Sequence, residues 1–494
     1  MLFNSQIFIF IFLPLVLAGW YILNHFKKYN IALAFLVGMS LWFYGYFNPS
    51  YLLIILSSIA VNYLISFLIN KFEKTKKLWF ILGLLFNIGI LGYYKYFDFM
   101  VGNINAVFKT DFALKHILLP LGISFFTLQQ ISYITDRYWG SAEHYNILYY
   151  MAYVAYFPQL IAGPIVLHNE IIPQFMDMEK RRFNSESFAD GIVLFVLGLG
   201  KKMLLADTFA LFVNEGFNKI VWIDTPSAWL VSACYAVELY FDFSGYCDMA
   251  CGIAKMFNFD LPINFKSPLK TYSVNEYWSR WHITLTRFFT TYIYNPITMS
   301  AIRHGKKTKK LFRNITPMII FLISGIWHGA SWTFVIWGLA EGLGTVWSQR
   351  KKFKLKKAWY TWLANMLFVV ITSAIFRSEN WDNMVRMLKA MFVPKFGTMT
   401  VELCLPFANA PEFYAIIRAV EILCPQFINW IYIILLALLW LIAVLILRGR
   451  NAQEILQHQK EKGLNMKFTL LLSAIFIWCI ISLNQVSTFL YFNF

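Results

Sequence analysis

The chain has 494 residues, of which 59% are hydrophobic, 14% charged and 19% aromatic. Soluble domains usually carry about 25% charged residues, and apolar runs recur here from end to end, so the composition excludes a large soluble domain and points to a lipid-facing surface. The net charge of +17 lies in short clusters between apolar runs, which reads as loops facing anionic lipid rather than as a surface for nucleic acid.

A helix needs about 20 mostly apolar residues to cross the hydrocarbon layer. The first such stretch, in MLFNSQIFIFIFLPLVLAGWYILNHFKK, lacks a basic leader and a small-residue cleavage site, so it is expected to be a retained span. Further stretches lie at 31–47, 51–70, 78–94, 148–166, 187–206, 225–241, 316–341, 355–375, 428–447 and 466–485. With 6–24 they predict an all-α polytopic membrane protein of about eleven spans, organised as one domain over 1–494. Shorter apolar stretches at 114–133, 243–258, 282–300, 384–394 and 411–425 are interrupted by proline or polar residues and read as re-entrant or interfacial helices. In YFPQLIAGPIVLHNEIIPQF (156–175), Pro158, Gly163, Pro164 and Pro173 exclude a straight helix.

The basic loops set the expected orientation. Lys27 and Lys28, KFEKTKK (71–77), HGKKTKKLFR (304–313), RKKFKLKK (350–357) and the segment 448–467 mark the cytoplasmic side. Both termini are then extracytoplasmic, and the expected location is the bacterial cytoplasmic membrane. Basic clusters flank 316–341 on both sides, which one straight helix cannot satisfy. That stretch is read either as a broken or re-entrant pair or as a helix whose basic residues lie deeper in a funnel.

The six cysteines show no paired metal-ligand spacing, so no metal is expected. Two of the eight histidines stand out. His282 lies in NEYWSRWHITLTRFF and His328 in FLISGIWHGASWTFVIWG. An ionisable group in an apolar setting pairs, lines a cavity or does chemistry. With Arg280, Arg287, Trp278 and Trp281 around it, His282 also suits a headgroup belt. Gly325 and Gly329 beside His328 allow close helix packing, and equally leave room for a substrate shaped by Trp327 and Trp332. Imidazole exchanges a proton near neutral pH, and no nucleophile elbow, phosphate loop or dinucleotide fingerprint competes for the role. An oxyanion would take its donor from Asn275, Arg280 or backbone amides. A second polar cluster, AVELYFDFSGYCDMA (236–250), holds Glu238, Tyr240, Asp242, Ser244 and Asp248. It reads either as a surface loop broken at Gly245 or as the lining of a substrate path. A transporter without covalent chemistry would use the same polar lining, but the paired halves common in such proteins are not visible.

Four stretches, PLGISFFTLQQISYITDRYWG (120–140), YFPQLIAGPI (156–165), YFDFSGYCDMACGIAKMFNFDLPINFKSPLKTYSVNEYWSRWHITLTRFF (240–289) and SGIWHGASWTFVIWGLAEG (324–342), resemble the membrane-bound O-acyltransferase family. The resemblance covers nearly the whole chain. It is to the bacterial branch that holds the membrane subunits of alginate and peptidoglycan O-acetylation and the D-alanyl transferase of teichoic acids. It implies a ring of spanning and re-entrant helices around a central tunnel, with His328 catalytic and His282 its supporting polar partner. Asn275, Trp278, Arg280, Trp327, Tyr240, Asp242 and Ser244 are the expected substrate contacts. It further implies acetyl-CoA as a cytoplasmic acyl donor, with no bound cofactor. The expected partners are an extracytoplasmic acyltransferase or esterase-like protein, a glycan acceptor and membrane lipid. D-alanyl transfer from a carrier protein is the alternative chemistry. The terminal FLYFNF (489–494) resembles an aromatic motif that would bring the Tyr491 hydroxyl to the outer mouth as an acyl relay. As composition alone, it reads as an interfacial anchor.

Overall fold

The computed structural model describes residues 1–303, 305–349, 358–463, 465–483 and 489–490, with backbone alone at 306–310. Among the described residues every regular element is helical. Six helices among the described residues are long and apolar enough to cross a membrane: Phe8–His25, Ser50–Lys71, Glu73–Tyr94, Leu311–His328, Trp359–Arg377 and Pro425–Arg448. Two shorter apolar helices, Tyr29–Gly45 and Met466–Ser482, occupy other expected spans. The apolar stretch at 148–166 breaks at Tyr156 into the helices Ile147–Ala155 and Phe157–Leu160, because Pro158 has no N–H to continue the first helix and its ring crowds that helix's last carbonyls, while it fits the first turn of the second.

The chain divides into two compact units. The first comprises Met1–Phe195, Met249–Ile263 and Thr284–Pro296. Its core is aromatic: the Phe12 ring stands edge-on to Phe157 at 5.3 Å, and Phe43 packs 5.4 Å from Phe157. Several polar side chains buried between its helices satisfy one another, which is favoured where no water reaches. Asn62 and Asn87 exchange amide hydrogen bonds of 3.2 and 2.6 Å, and Gln130 donates to the Ser58 hydroxyl at 2.8 Å. Asp136 Oδ2 accepts from the Tyr292 hydroxyl at 2.7 Å and lies 3.1 Å from His168 Nε2. The other ring nitrogen of His168 is 3.0 Å from the Tyr145 hydroxyl. The sequence pattern gave His168 no task; here it ties three segments together.

The second unit comprises Val196–Asp248, Asn264–Ile283 and Ile297–Phe494. Its organising element is a helical hairpin. Helix Lys306–His328 ends at Gly329, the chain turns over Ala330 and Ser331, and helix Trp332–Ser348 returns. The Ser331 hydroxyl caps the second helix by accepting from the Thr333 amide. Three glycines set how closely the two helices approach. A Cβ on Gly325 would fall 2.2 Å from the Phe334 carbonyl oxygen, one on Gly338 2.3 Å from that of Phe321, and one on Gly342 2.9 Å from the Met318 sulfur. These pairs run in opposite chain directions, so the hairpin is antiparallel and Leu311 and Ser348 share one end. The apolar stretch 316–341 is therefore a broken pair, and the basic runs before and after it can face the same side of a membrane.

The same packing logic explains helix Thr225–Met256. Gly245 does not break it. A Cβ there would lie 2.7 Å from the Gly198 carbonyl oxygen, so the glycine serves close helix crossing rather than a turn. Of the two readings of 236–250, the surface loop falls, because the segment lies inside this helix, as does the interrupted stretch at 243–258 up to Met256.

Gly338→Ala should force the hairpin apart at backbone it cannot displace, costing about 1–3 kcal/mol. Gly89→Ala, at a position with open space around it, should be neutral or slightly stabilising. Thermal unfolding of both variants in detergent checks this, and equal midpoints would refute the packing argument.

Candidate active site

The hairpin turn carries His328, the last residue of its helix. Gly329 follows in extended conformation, and a Cβ on it would strike the Phe334 ring at 2.0 Å. Only glycine leaves the chain free to turn here without displacing that ring. His328 is 4% exposed. Its imidazole is walled by aromatic faces: Trp337 perpendicular at 5.2 Å, Phe376 at 5.2 Å and its neighbour Trp327 at 4.9 Å. These rings exclude water and leave beside His328 a cavity of about 30 Å³, shared with Trp278, Trp281, Glu341 and Thr372 among others. That space holds about two waters at most. Glu341, 3% exposed, accepts a hydrogen bond from Trp278 Nε1 at 2.9 Å. The carboxylate and the imidazole thus face one small dry chamber, where a proton or a developing charge is felt strongly.

His282 sits apart from any regular helix, with φ at +45°. A residue with a side chain pays about 1–3 kcal/mol to stay in such a region and is held there by its surroundings. Two backbone bonds bracket it, Lys266 N–H to Arg280 O at 2.9 Å and Ile283 N–H to Asn264 O at 3.0 Å. Asn264 also reaches the ring: its Oδ1 is 3.1 Å from His282 Nδ1, while its Nδ2 lies 3.3 Å from Cys247 Sγ. With the amide so oriented, Asn264 Oδ1 can accept only from a protonated Nδ1, so the contact favours the tautomer that keeps the proton on that nitrogen. Trp327 lies between the histidines, its ring 6.3 Å from that of His282. Phe243 covers His282 edge-on at 4.8 Å.

A second, larger cavity of about 460 Å³ opens over the hairpin turn. Gly329, Ala330, Ser331, Phe334 and Phe376 form one wall, and Lys202, Asp207, Glu238 and Asp242 another. Phe376 lines both cavities. Lys202 Nζ bridges Asp242 at 2.6 Å and Asp207 at 2.7 Å, all from side chains at most 17% exposed. Asp242 Oδ2 also accepts the Leu490 backbone N–H at 3.0 Å. Phe489 is buried beside it, stacked on Tyr246 at 4.8 Å and packed 5.6 Å from Phe243. Phe489 and Leu490 are thereby fastened to the helix that covers His282. Tyr491 itself lies outside the described residues.

Lys202→Met should leave two carboxylates without their cation and destabilise the unit by about 3–5 kcal/mol. Lys180→Met, which removes the more exposed partner of Asp260, should cost no more than about 1 kcal/mol. Thermal melts of the two variants in detergent distinguish these outcomes; similar losses would argue against a buried network.

Of the sequence-derived residues, Trp278 and His328 share the small cavity and Asp242 lines the large one. Trp327 bridges the histidines. Tyr240 packs against Phe265 and Trp281, and Ser244 is buried. Arg280 is paired with Glu276 at 2.8 Å, and Asn275 belongs to the short helix Val274–Trp278. Neither of these two is among the residues lining the cavities. Sequence reasoning missed Asn264, Glu341, Phe376 and Lys202. Glu341 had a readable signal, an acidic residue inside the apolar run FVIWGLAEG.

Residues 141–376 match the model of the membrane-bound O-acyltransferase family. Over 100% of its length the chain is 36% identical to the peptidoglycan O-acetyltransferase of Helicobacter pylori, covering 98% of that protein. The chain belongs to the membrane-bound O-acyltransferase family. It is 36% identical to the probable alginate O-acetylase AlgI of Pseudomonas aeruginosa over 81% of this chain and 76% of that protein. The teichoic acid D-alanyltransferase of Streptococcus thermophilus matches at 23% over 48% of this chain and 60% of its own. The chain is thus a membrane acyltransferase, and the family match contains both histidines and ends at Phe376, the ring common to both cavities.

Proposed function

We propose that this acyltransferase takes acetyl from acetyl-CoA on the cytoplasmic side and delivers it outward to a peptidoglycan O-acetylation system. The observation that carries this reading is the 36% identity to a peptidoglycan O-acetyltransferase across all of this chain and 98% of that relative. The probable alginate O-acetylases match as well residue for residue but over less of the chain, which makes alginate or another exopolysaccharide the second reading. The D-alanyl transferases match only half of it.

In this reading the chain lies in the bacterial cytoplasmic membrane with both termini outside. His328 acts as general base in its dry chamber, and Nε2 of neutral His282 offers a second acceptor, in the tautomer that Asn264 favours. The small cavity receives the thioester end of the donor, and the 460 Å³ cavity faces the outside. The acetyl group passes the Phe376 partition while the carrier stays behind. A hydroxyl entering from the outer cavity, that of Tyr491, attacks the thioester carbonyl. The C–O bond forms, the C–S bond breaks, the hydroxyl proton goes to His328, and CoA leaves as the thiol after that proton returns. The acetylated tyrosine then hands the group to an extracytoplasmic acyltransferase or esterase-like partner, which places it on the glycan.

The test is deletion of the gene in its host, with base-labile acetate measured on isolated peptidoglycan and on exported polysaccharide. Loss from peptidoglycan alone, restored by the wild-type gene, is the expected result. Loss from the polysaccharide alone would favour the second reading, and loss from neither would end both.

A further inference from the structure

At the end of the first candidate span, Phe8–His25, the first unit holds a pocket of about 510 Å³ that takes no part in the chemistry described above. Two short stretches, 21–29 and 178–183, supply its walls. Lys27, Arg181, Arg182 and His25 line it, and no carboxylate does. Arg181 decides its character. The residue is 1% exposed, yet all its hydrogen-bond partners are neutral. Nε donates to the Phe175 carbonyl at 2.6 Å, one terminal nitrogen to the Tyr29 carbonyl at 2.9 Å and the other to the Tyr149 hydroxyl at 3.4 Å. The rings of Trp20 and Tyr29 lie 5.7 and 5.8 Å from its guanidinium carbon. Among the described residues it has no carboxylate partner. A buried charge without a counter-charge is strongly unfavourable, so the site is one anion short.

Helix ends do not supply that anion. The C-termini of Leu13–His25 and of His168–Met176, the latter through the Phe175 carbonyl that Arg181 binds, bring partial negative charge, the N-terminus of Tyr29–Gly45 offsets part of it, and none is a full counter-charge. The side-chain cations therefore set the sign. Lys27 follows the first helix at φ +58°. Arg182 stands at the rim, where its ion pair with Glu179 is open to solvent and exchangeable. The lining also includes exposed apolar side chains, Ile22, Phe26, Met178 and Phe183, which fit an amphiphile better than a free ion.

We propose that this pocket binds the phosphate headgroup of an anionic phospholipid, with Arg181 as the buried counter-charge, Lys27 and Arg182 at the rim, and the apolar side chains against the acyl chains. The basic-loop rule puts residues 25–30 on the cytoplasmic side, where such lipids meet basic pockets between helices. The test uses the full chain purified in detergent and native mass spectrometry, titrating phosphatidylglycerol or phosphatidylcholine. Wild type should hold one phosphatidylglycerol more tightly than phosphatidylcholine. The double variant Lys27→Gln with Arg182→Gln, both exposed and harmless to the fold, should weaken that binding roughly thirtyfold, the effect of two surface cations. Equal binding of both lipids, or no loss in the double variant, would overturn the proposal. So would displacement of the lipid by millimolar CoA or inorganic phosphate, which would assign the pocket to a soluble phosphate instead.

Discussion

Replacing His328 with alanine should lower acetyl transfer by about 10²–10⁴-fold, the usual contribution of a positioned general base. Geometry sets this residue apart from the other histidines. It closes a helix at a turn that only glycine can follow, and three aromatic rings wall it off from water. Alanine leaves a gap between Trp337 and Phe376, so part of any loss could come from packing. His328→Gln keeps most of the volume and removes the basic ring nitrogen, which separates the two causes. If the base role holds, both variants purify as folded monodisperse protein, and both lose base-labile acetate from peptidoglycan in a deletion host. A glutamine variant with near wild-type acetate would exclude His328 as the base. Asn264→Leu offers a graded comparison. It leaves His282 in place without the amide that orients its ring, and should cost about 10–100-fold, by analogy with the loss when the partner orienting a metal-bound histidine is removed.

Much of this arrangement was legible in the sequence, and what was not has physical reasons. The membrane class follows from apolar runs of span length, a property each segment carries alone. The broken pair at 316–341 was foreshadowed by basic clusters on both flanks, because orientation depends on charge near the ends of a span. Gly245 left two readings open, since the same residue marks a turn or a close helix crossing, and only the approach of Gly198 decides between them. Asn264 was out of reach for a similar reason. Its importance lies in touching His282 eighteen residues away, and an asparagine in a loop has no periodicity to betray it. Lys202 reads as one of two lysines after an apolar run, and becomes the centre of a buried triad only once Asp207 and Asp242 are brought to it. Glu341 could have been singled out, because a carboxylate in an apolar membrane segment needs a partner wherever it sits. Trp278, an obligate donor, proves to be that partner.

Tyr491→Phe should abolish delivery of acetyl to the outer side, by about three orders of magnitude or more if the hydroxyl is the nucleophile. The substitution removes one oxygen and keeps the ring, so an interfacial anchor would barely notice it. What makes the relay geometrically reasonable is the anchoring of the two preceding residues. Phe489 is stacked into the aromatic layer of Tyr246 and Phe243, and Phe243 is the ring that covers His282. The Leu490 amide is bound by Asp242, whose charge Lys202 balances. If the relay reading holds, positioning the nucleophile is itself worth several orders of magnitude in rate. Asp242→Asn therefore serves as the companion experiment. It keeps an acceptor for the Leu490 amide but weakens the bond by removing its charge, so transfer should fall partially, while Tyr491→Phe falls to background. Labelled acetyl should appear covalently on the C-terminal peptide of the wild type and of Asp242→Asn, and not on that of Tyr491→Phe. Normal acetate on peptidoglycan from the phenylalanine variant would reduce the C-terminal tyrosine to an anchor and require a direct transfer from His328's chamber to the partner.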